Sequence, residues 1–591
     1  MANGPKTEPP GKRAGPSLRA RILHSAALEG VLAGFSRRTF RSDLLVGLTV
    51  SALVVPQSMA YAEIAGLPPQ AGVFVSFAAP LAYALLGTSR QLICGPSSAT
   101  AAISAAHVAT LVAVASPEYA TLSAALAVLC GLIFVVLGLL RLGFITQYIS
   151  SSVQIGFLFG LGLTVIAGQI ITMLGLKRGP GQIIDQLGAA SRSLDDINWW
   201  SLGTGVAALL LVLALARWFP AVPAALTVVV LSIVLSTVLN LAGHGVEVIG
   251  HLDRTIPSLA IPVVAPSDWL ALLPGAFAIV FIGSSESMTI ARRYATLHRY
   301  TISPNQEFLA LGVSGIASGL FHGFATSGGA SQSAANDRAG AQTKLVSLVV
   351  SAVALLTAVA LLPYIANLPR AVLAAIVVNA MRGFISLPAL DKIRRVNTRD
   401  FAFALIALGA VLAFGILTGL VIAVGLSVAL LLVQFSRLPV TELGALPGSS
   451  AFVSVARHPE ASRPPGLLSV RPEGALLFIN ADWVRDTIRM HAEGASSAPN
   501  VIAIDLEESP GLDYTAAEAI AAMRQAAGDA GQELWLTNVH TAVAESLRQA
   551  GMMNEGVAQW VFTNHQDAVA AFAQRAAHPA AGHGDRPAQA S

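Results

Sequence analysis

Residues 91–98, QLICGPSS, and residues 324–331, FATSGGAS, decide how this chain folds. Each interrupts the start of an apolar segment with small and helix-breaking residues, and the second leaves residues 329–337, a helix too short to cross a membrane. When the apolar segments are numbered, both breaks fall on the third segment of a group of seven. Because seven is odd, the second group must enter the membrane upside down relative to the first. The sequence therefore predicts an inverted repeat.

Most of this chain requires an apolar solvent. Only 12% of its 591 residues are charged, against roughly 25% in soluble proteins, while 54% are hydrophobic and the mean hydropathy is +0.66. This composition excludes a soluble enzyme, and we expect no catalytic residues. The net charge of +3 is too small to indicate a nucleic-acid partner. Cys94 and Cys130 lie in apolar stretches without metal-ligand spacing, so we expect no metal site and no cofactor beyond a coupling ion.

Apolar segments of roughly spanning length follow one another between Leu44 and Phe435, as in a multi-pass helical membrane protein. The fourteen predicted spans are 43–66, 71–87, 96–114, 119–140, 148–172, 200–218, 221–240, 268–291, 306–322, 329–337, 344–364, 369–384, 400–416 and 417–436. An even number of spans places both termini on the same side of the membrane.

Positive charge assigns that side to the cytoplasm. With the termini inside, the inner loops hold Arg90, Arg141, Arg217, Arg292, Arg293, Arg299, Arg338, Lys344, Arg382, Lys392, Arg394, Arg395 and Arg399. The outer loops then hold only Lys177, Arg178, Arg192, Arg254 and Arg370. Because Lys and Arg prefer the cytoplasmic side, we expect cytoplasmic termini and a location in the cell membrane, which in a bacterium is the inner membrane.

The chain divides into five regions along its length. We predict a basic cytoplasmic N-terminal arm, the fourteen-span domain, a proline-containing linker, a small cytoplasmic α/β domain and a disordered tail, at residues 1–41, 42–436, 437–465, 466–577 and 578–591. The arm lacks the uninterrupted apolar run of a signal peptide. In the α/β domain, strand-like and helical patterns alternate. The strands are expected at 476–479, 501–504, 533–536 and 560–562, and the helices at 481–493, 515–529 and 541–550.

The two broken spans suit an anion. A helix N-terminus carries unsatisfied N–H groups and about half a positive charge, so two of them facing one cavity bind an anion without a cationic side chain. Small hydroxyl residues at these positions add O–H donors. The substrate-binding candidates are therefore Ser97, Ser98, Thr326 and Ser331. Helix capping is the alternative role for each of them.

Two unbroken spans carry further candidates. In the first span, Gln57 and Tyr61 lie four residues apart and hence on one face, which indicates either substrate binding or helix packing. Glu286 lies deep in the eighth span, where a carboxylate is costly. We expect Glu286 to bind a coupling ion, either a proton or Na⁺. The alternative is a structural carboxylate that bonds to neighbouring hydroxyl or backbone groups.

The chain contains several distinctive motifs, which are PQSMAYA at 56–62, GLPP at 66–69, GPSS at 95–98, NQE at 305–307 and SGGAS at 327–331, with VIAID at 501–505 and GLDYT at 511–515 in the α/β domain. Together they resemble the sulfate permease family of anion transporters, and the last two are similar to a STAS domain. The resemblance covers nearly the whole chain. It implies two inverted seven-span repeats that form core and gate domains, an anion held between the third and tenth spans, and elevator-type alternating access. It also implies a homodimer with cytoplasmic STAS domains, and substrate contacts at Gln57, Tyr61, Ser97, Ser98 and Ser331.

Two positions depart from the pattern of that family. Many members have Arg between the two serines at the start of the tenth span, where this chain has Gln332. The lower charge beside the site favours a monovalent anion such as bicarbonate. In the STAS loop, Tyr514 stands where a serine often follows the aspartate, which argues against phosphoregulation by the usual route.

The sequence favours a secondary active transporter of a small anion of the sulfate, bicarbonate or dicarboxylate class, coupled to protons or sodium. One alternative is a nucleobase permease of the same architecture, against which the STAS tail argues. The other is a regulatory membrane protein that binds an anion without net transport. Expected partners are the anion, membrane lipid, a second copy of the chain and a cytoplasmic regulator that contacts the STAS domain.

Overall fold

The computed structural model describes residues 37–114, 116–144, 150–176, 182–219, 222–250, 256–449, 451–495, 497–553 and 559–577. Most of the expected N-terminal arm and the whole of the expected disordered tail lie outside the described residues. The chain forms two compact units, of which the first ends at Ser427 and the second begins at Val428.

Helices account for nearly all of the first unit. In its first half they are α1 (Arg37–Ile64), α2 (Pro69–Leu86), α3 (Ser98–Leu111), α4 (Pro117–Leu139), α5 (Ser151–Met173), α6 (Ile183–Arg192), α7 (Trp199–Trp218) and α8 (Ala224–Val238). In the second half they are α9 (Pro266–Leu297), α10 (Pro304–Leu320), α11 (Ala330–Arg338), α12 (Leu345–Leu356), α13 (Arg370–Met381), α14 (Leu387–Val396), α15 (Thr398–Phe414) and α16 (Ile416–Ser436). A π turn, Thr357–Leu361, and a 3-10 turn, Leu362–Ile365, extend α12.

The two halves follow the same order of elements. Each predicted span coincides with one of these helices, and the two short helices that were not predicted, α6 and α14, both follow the fifth span of their half. Within the described residues, eight helices are long and apolar enough to cross a membrane, and α3, α8 and α13 are shorter apolar helices. The protein is a helical membrane protein, and the matching order of its halves fits two inverted repeats of seven spans.

Glycines bring the helices of the first unit into close contact. Where α4 packs against α10, a Cβ atom added to Gly131 would lie 2.5 Å from the carbonyl oxygen of Gly312. A Cβ atom added to Gly312 would lie 2.7 Å from the carbonyl oxygen of Gly131. Only residues without a side chain allow two backbones to approach this closely, as is common between membrane helices.

A two-residue sheet joins the two halves at their broken spans. Strand β1 (Cys94–Gly95) pairs antiparallel with β2 (Ser327–Gly328), so that Cys94 lies opposite Gly328 and Gly95 opposite Ser327. Shortly after each strand a half-length helix begins, α3 after β1 and α11 after β2. The pairing therefore holds the N-termini of α3 and α11 together inside the protein.

The second unit is an α/β domain with one six-stranded sheet of order β4-β3-β5-β6-β7-β8. Its strands are β3 (Val440–Ala445), β4 (Phe452–Ser454), β5 (Leu467–Pro472), β6 (Val501–Asp505), β7 (Glu533–Thr537) and β8 (Val561–Phe562). Its helices are α17 (Ala481–Glu493), α18 (Tyr514–Asp529), α19 (Thr541–Gln549) and α20 (His565–Ala577). Strands β5 to β8 are parallel, whereas β3 is antiparallel to both of its neighbours. A fully buried Trp535 lies in the core.

Two sequence expectations differ from this sheet. Residues 437–465, expected as a linker, contribute β3 and β4. Residues 476–479, expected as the first strand, instead form the loop before α17, in which Leu476 is buried while Phe478 is 68% exposed. The strand that occupies the expected position in the sheet is β5. Its apolar pattern is hard to recognise in the sequence because β5 carries Arg471, which pairs with the buried Asp505 at 2.6 Å.

Candidate functional site

The N-termini of the two half-length helices are linked by backbone and side-chain hydrogen bonds. The N–H of Gly329, the residue before α11, donates to the carbonyl of Ile93 at 3.0 Å. The N–H of Ile93 in turn donates to Ser333 Oγ at 3.0 Å. Helix α3 is capped by Ser97, whose Oγ accepts from the N–H of Thr100 at 3.3 Å, while α11 has no side-chain cap. The positive ends of two helix dipoles are thus held in one region, where they favour an anion.

Four predicted site residues come together beside these N-termini. Helix α1 places Gln57 and Tyr61 there, and both are buried. Ser331 Oγ on α11 donates to Gln57 Oε1 at 3.4 Å. The hydroxyl of Tyr61 lies next to the hydroxyls of Ser331 and of Ser98, the first residue of α3. We call Gln57, Tyr61, Ser98 and Ser331 the hydroxyl cluster. It contains no Lys or Arg, so its positive potential comes from N–H and O–H dipoles.

Proline shapes α1 at this point. Pro56 lies inside the helix, immediately before Gln57. Because proline lacks a backbone N–H, α1 forms one hydrogen bond fewer beside the hydroxyl cluster. The Pro-Gln pair recognised in the sequence therefore places a weakened turn of helix next to a polar side chain.

Glu286 forms a second group with both broken segments. One of its carboxylate oxygens, Oε2, accepts from Ser97 Oγ at 3.4 Å and from Ser327 Oγ at 3.3 Å. Among the residues that the structure describes, no cation pairs with this carboxylate. The next residue, Ser287, accepts a hydrogen bond from the N–H of Gly328 at 2.7 Å, which ties α9 to β2. Glu286 therefore touches the segments that lead into α3 and α11.

Ser97 and Thr326 are placed differently from the hydroxyl cluster. Ser97 caps α3 and donates to Glu286, so its hydroxyl is already bonded within the protein. This is the capping role that the sequence left as an alternative. Thr326 is buried, and its Oγ1 has no hydrogen-bond partner among the described residues.

Gln332 lies fully buried between the two broken segments. Its Nε2 donates to the carbonyl of Pro96 at 3.3 Å, while its Oε1 has no partner among the described residues. A Cβ atom on Gly95 would lie 3.3 Å from that oxygen. The amide at this position thus connects α11 to the segment before α3.

Three residues of this region were not singled out by sequence reasoning. Ser327 contacts Glu286, and its neighbours in the SGGAS turn were the only available signal. Gln154 of α5 accepts from Ser285 Oγ at 3.0 Å, and a glutamine inside an apolar span could have indicated it. Glu307, quoted only as part of a motif, is fully buried and accepts hydrogen bonds from Tyr83 and from residues after α2.

Metal ligands do not converge here. In the described part of the chain, no group of three or more His, Cys, Asp or Glu side chains is close enough to hold a metal ion. The oxygens that surround Glu286 are hydroxyls, which suit a proton or an alkali cation rather than a transition metal.

Known protein families match most of the chain. Residues 40–407 match the sulfate permease family, and residues 458–568 match the STAS domain. A probable sulfate transporter of Mycobacterium tuberculosis is 32% identical over 541 residues, which are 92% of this chain and 97% of that protein. Sulfate transporter 1.2 of Arabidopsis thaliana is 31% identical over 505 residues, which are 81% of this chain and 77% of that protein.

Two solved structures share the fold. A murine anion transporter of solute carrier family 26, in its inward-facing state, superposes with a TM-score of 0.86 at 24% identity over 96% of both chains. The transmembrane domain of a cyanobacterial bicarbonate transporter superposes with a TM-score of 0.60 at 23% identity, over 66% of this chain and 99% of that one.

The fold and the paired half-length helices define a multi-span helical membrane protein with a C-terminal α/β domain, and the family matches place it among the anion transporters. The chain belongs to the sulfate permease family and carries a C-terminal STAS domain.

Proposed function

We propose that this protein is a secondary active transporter of a small anion, which it binds at the hydroxyl cluster between α3 and α11. The observation that carries the proposal is the pairing of β1 with β2, because it holds two helix N-termini beside Gln57, Tyr61, Ser98 and Ser331. Unsatisfied backbone N–H groups and hydroxyl donors bind an anion and repel a cation. A neutral nucleobase would gain little from the two helix dipoles.

The proposed substrate class is sulfate, bicarbonate or a dicarboxylate. The relatives named as sulfate transporters and the fold neighbour named as a bicarbonate transporter support this class. Within it, the hydroxyl cluster favours a monovalent anion, since it offers dipoles but no full positive charge. Coulomb attraction grows with ligand charge, so a divalent anion loses more than a monovalent one when a cationic side chain is missing.

We further propose that Glu286 binds the coupling ion. A carboxylate inside the membrane needs a positive partner, and no described cation pairs with it. Its oxygen contacts reach the two segments that also support the hydroxyl cluster, so an anion in the cluster and a negative Glu286 repel each other. A proton or Na⁺ at Glu286 removes this repulsion, which links movement of the anion to movement of the cation.

Elevator-type movement of the site would have to open a contact at the outer end of α1. There, Arg370 at the start of α13 bonds Glu247 at 2.9 Å and lies 4.0 Å from Glu63 of α1. The residues next to this ion pair also pair through their backbones, since Val248 forms an antiparallel β-bridge with Pro369. In the proposed arrangement α1 belongs to the moving core and α13 to the gate.

The proposed setting is the cell membrane of a bacterium, with both termini in the cytoplasm and two copies in one assembly. The asymmetry of Lys and Arg between predicted inner and outer loops supports this orientation. The STAS domain would then be available to a cytoplasmic regulator.

Uptake by proteoliposomes tests the function. The purified protein is offered labelled sulfate, bicarbonate, succinate and uracil, each with and without a pH or sodium gradient. We expect gradient-dependent uptake of at least one anion and no uptake of uracil. Uracil uptake would identify a nucleobase permease. Anion binding without uptake under every gradient would identify a regulatory protein and overturn the proposal.

A second experiment tests the coupling role. Glu286→Gln keeps the shape of the side chain but fixes its charge at zero, so we expect anion exchange to persist while accumulation driven by the ion gradient is lost. Asp268→Asn at the start of the same helix is the matched control, because it removes the same charge from a carboxylate that caps α9 by accepting from the N–H of Ala265. If the Glu286 variant still accumulates substrate with the ion dependence of the parent, coupling lies elsewhere.

A further inference from the structure

A cleft at the end of α7 combines an apolar wall with two arginines. It has a volume of about 540 Å³ and is lined by Leu210, Leu213, Arg217 and Trp218 of α7 and by Arg382, the residue that follows α13. Helices α7 and α13 are the sixth and twelfth predicted spans. Both therefore run from the outer to the inner side in the predicted topology, so the cleft lies at the inner surface of the membrane.

The charge of this cleft comes from its two arginines. Among the described residues, neither Arg217 nor Arg382 forms an ion pair. The sequence contains no Asp or Glu from 197 to 246 or from 371 to 390, so neither arginine has an acidic residue close to it along the chain. Two other arginines of the inner side, Arg394 and Arg395, differ in that both pair with Asp391, at 2.9 and 2.6 Å. The cleft thus has two uncompensated positive charges, which attract an anion.

The rest of the cleft indicates that the anion carries hydrocarbon chains. Only 22% of an 18-residue stretch of α7 is buried inside the protein, so Leu210 and Leu213 lie on a helix that faces lipid. Trp218 is 72% exposed at the end of this helix, where an indole ring marks the level of the lipid headgroups. A soluble anion would use the two arginines but leave the apolar wall unoccupied.

We propose that this cleft binds an anionic phospholipid, with its phosphate between Arg217 and Arg382 and its acyl chains along Leu210 and Leu213. Two guanidinium groups match the oxygens of one phosphate, and basic pockets between membrane helices on the inner side are suited to such headgroups. Because α7 and α13 come from opposite halves of the repeat, the bound phosphate connects the two halves at the inner surface.

Lipid retention by the purified full-length protein tests this site. Native mass spectrometry compares retained phosphatidylglycerol and phosphatidylcholine in the parent, in Arg217→Gln/Arg382→Gln, and in the control Arg394→Gln/Arg395→Gln, which loses the same charge on the same side. We expect the first variant to lose phosphatidylglycerol affinity roughly 25-fold, at about fivefold per arginine. We expect the control to match the parent, and phosphatidylcholine retention to be equal in all three. Equal losses in both variants would overturn the site, because the effect would then be one of net charge.

A second measurement does not depend on the folding of the arginine variants. Phosphatidylglycerol with brominated acyl chains should quench the fluorescence of Trp218, measured as the difference between the parent and Trp218→Phe. Brominated phosphatidylcholine should quench this difference signal less. Equal quenching by both lipids would refute a preference for the anionic headgroup. Loss of the preference on adding millimolar inorganic phosphate would show a site for a free anion instead of a lipid.

Discussion

Glu307 gives the sharpest stability prediction for the first unit. This fully buried carboxylate of α10 accepts from the Tyr83 hydroxyl at 2.7 Å and from the backbone N–H groups of Thr88 and Ser89 at 2.6 and 3.0 Å. The hydroxyl of Thr88 is a fourth donor. One side chain therefore holds the segment between α2 and β1, and this segment leads directly into the first half-length helix.

The expected loss of local stability in a Glu307 variant follows from the number of hydrogen-bond donors that cannot find another acceptor. Glu307→Ala leaves two backbone N–H groups without a partner, that of the buried Ser89 and that of the half-buried Thr88, while the two hydroxyls can rotate. At about 1–3 kcal/mol for each unsatisfied donor, the local cost is about 4 kcal/mol. Glu307→Gln keeps an oxygen for both N–H groups and loses only the acceptor for the Tyr83 hydroxyl, at a cost of about 1 kcal/mol.

Amide hydrogen exchange measures these two costs at the affected residues. In Glu307→Ala, a loss of about 4 kcal/mol in the local opening free energy should speed exchange of the Thr88 and Ser89 amides by a factor of about 1,000. In Glu307→Gln, exchange of the same amides should be about fivefold faster than in the parent. Glu118→Ala, which removes an exposed acid at the start of α4, should leave both amides unchanged. If Glu307→Ala exchanges like the parent at these positions, the carboxylate does not hold the segment and the reasoning fails.

Three further predictions address the site, the gate and the second unit. Ser331→Glu should abolish anion binding, since it puts a negative charge at a positive helix end; unchanged affinity in an equilibrium binding assay would remove α11 from the site. Arg370→Gln should weaken the outer closure by about 1 kcal/mol, raising outside labelling of a cysteine placed at Gln57 roughly fivefold; unchanged labelling would show that the ion pairs do not hold the gate. Burial lowers the pKa of His565, so the unfolded chain binds more protons as pH falls below about 6.5 and the α/β unit loses stability. Exchange of the amides in β5 to β7 should therefore accelerate at acidic pH in the parent but not in His565→Gln, and equal pH dependence would exclude this histidine.

The amino-acid sequence by itself determined the membrane architecture. Spanning length, loop charge and breaks rich in glycine or proline are local properties, because lipid forces each segment to satisfy its own backbone hydrogen bonds. The positions of the spans, the matching breaks at residues 91–98 and 324–331, and the presence of Gln57 and Tyr61 on one helix face could therefore be predicted without any tertiary contact. The family motifs added the STAS domain, which the comparison confirms.

Only the tertiary structure decided which side chain bonds to which. Ser97 and Glu286 are 189 residues apart, and the backbone of Thr88 meets Glu307 across 219 residues, so no periodicity of either segment encodes these contacts. The same holds for β3 and β4, which looked like a linker because prolines are dispersed through residues 437–465 and each strand reaches its partners only after the chain has turned back on itself. The local hydrophobic pattern of a segment indicates its environment. The partner of a polar group, in contrast, depends on where distant segments lie after packing. For this reason the broken spans could be recognised from the sequence, while the division of their hydroxyls between helix capping, Glu286 and the hydroxyl cluster could not.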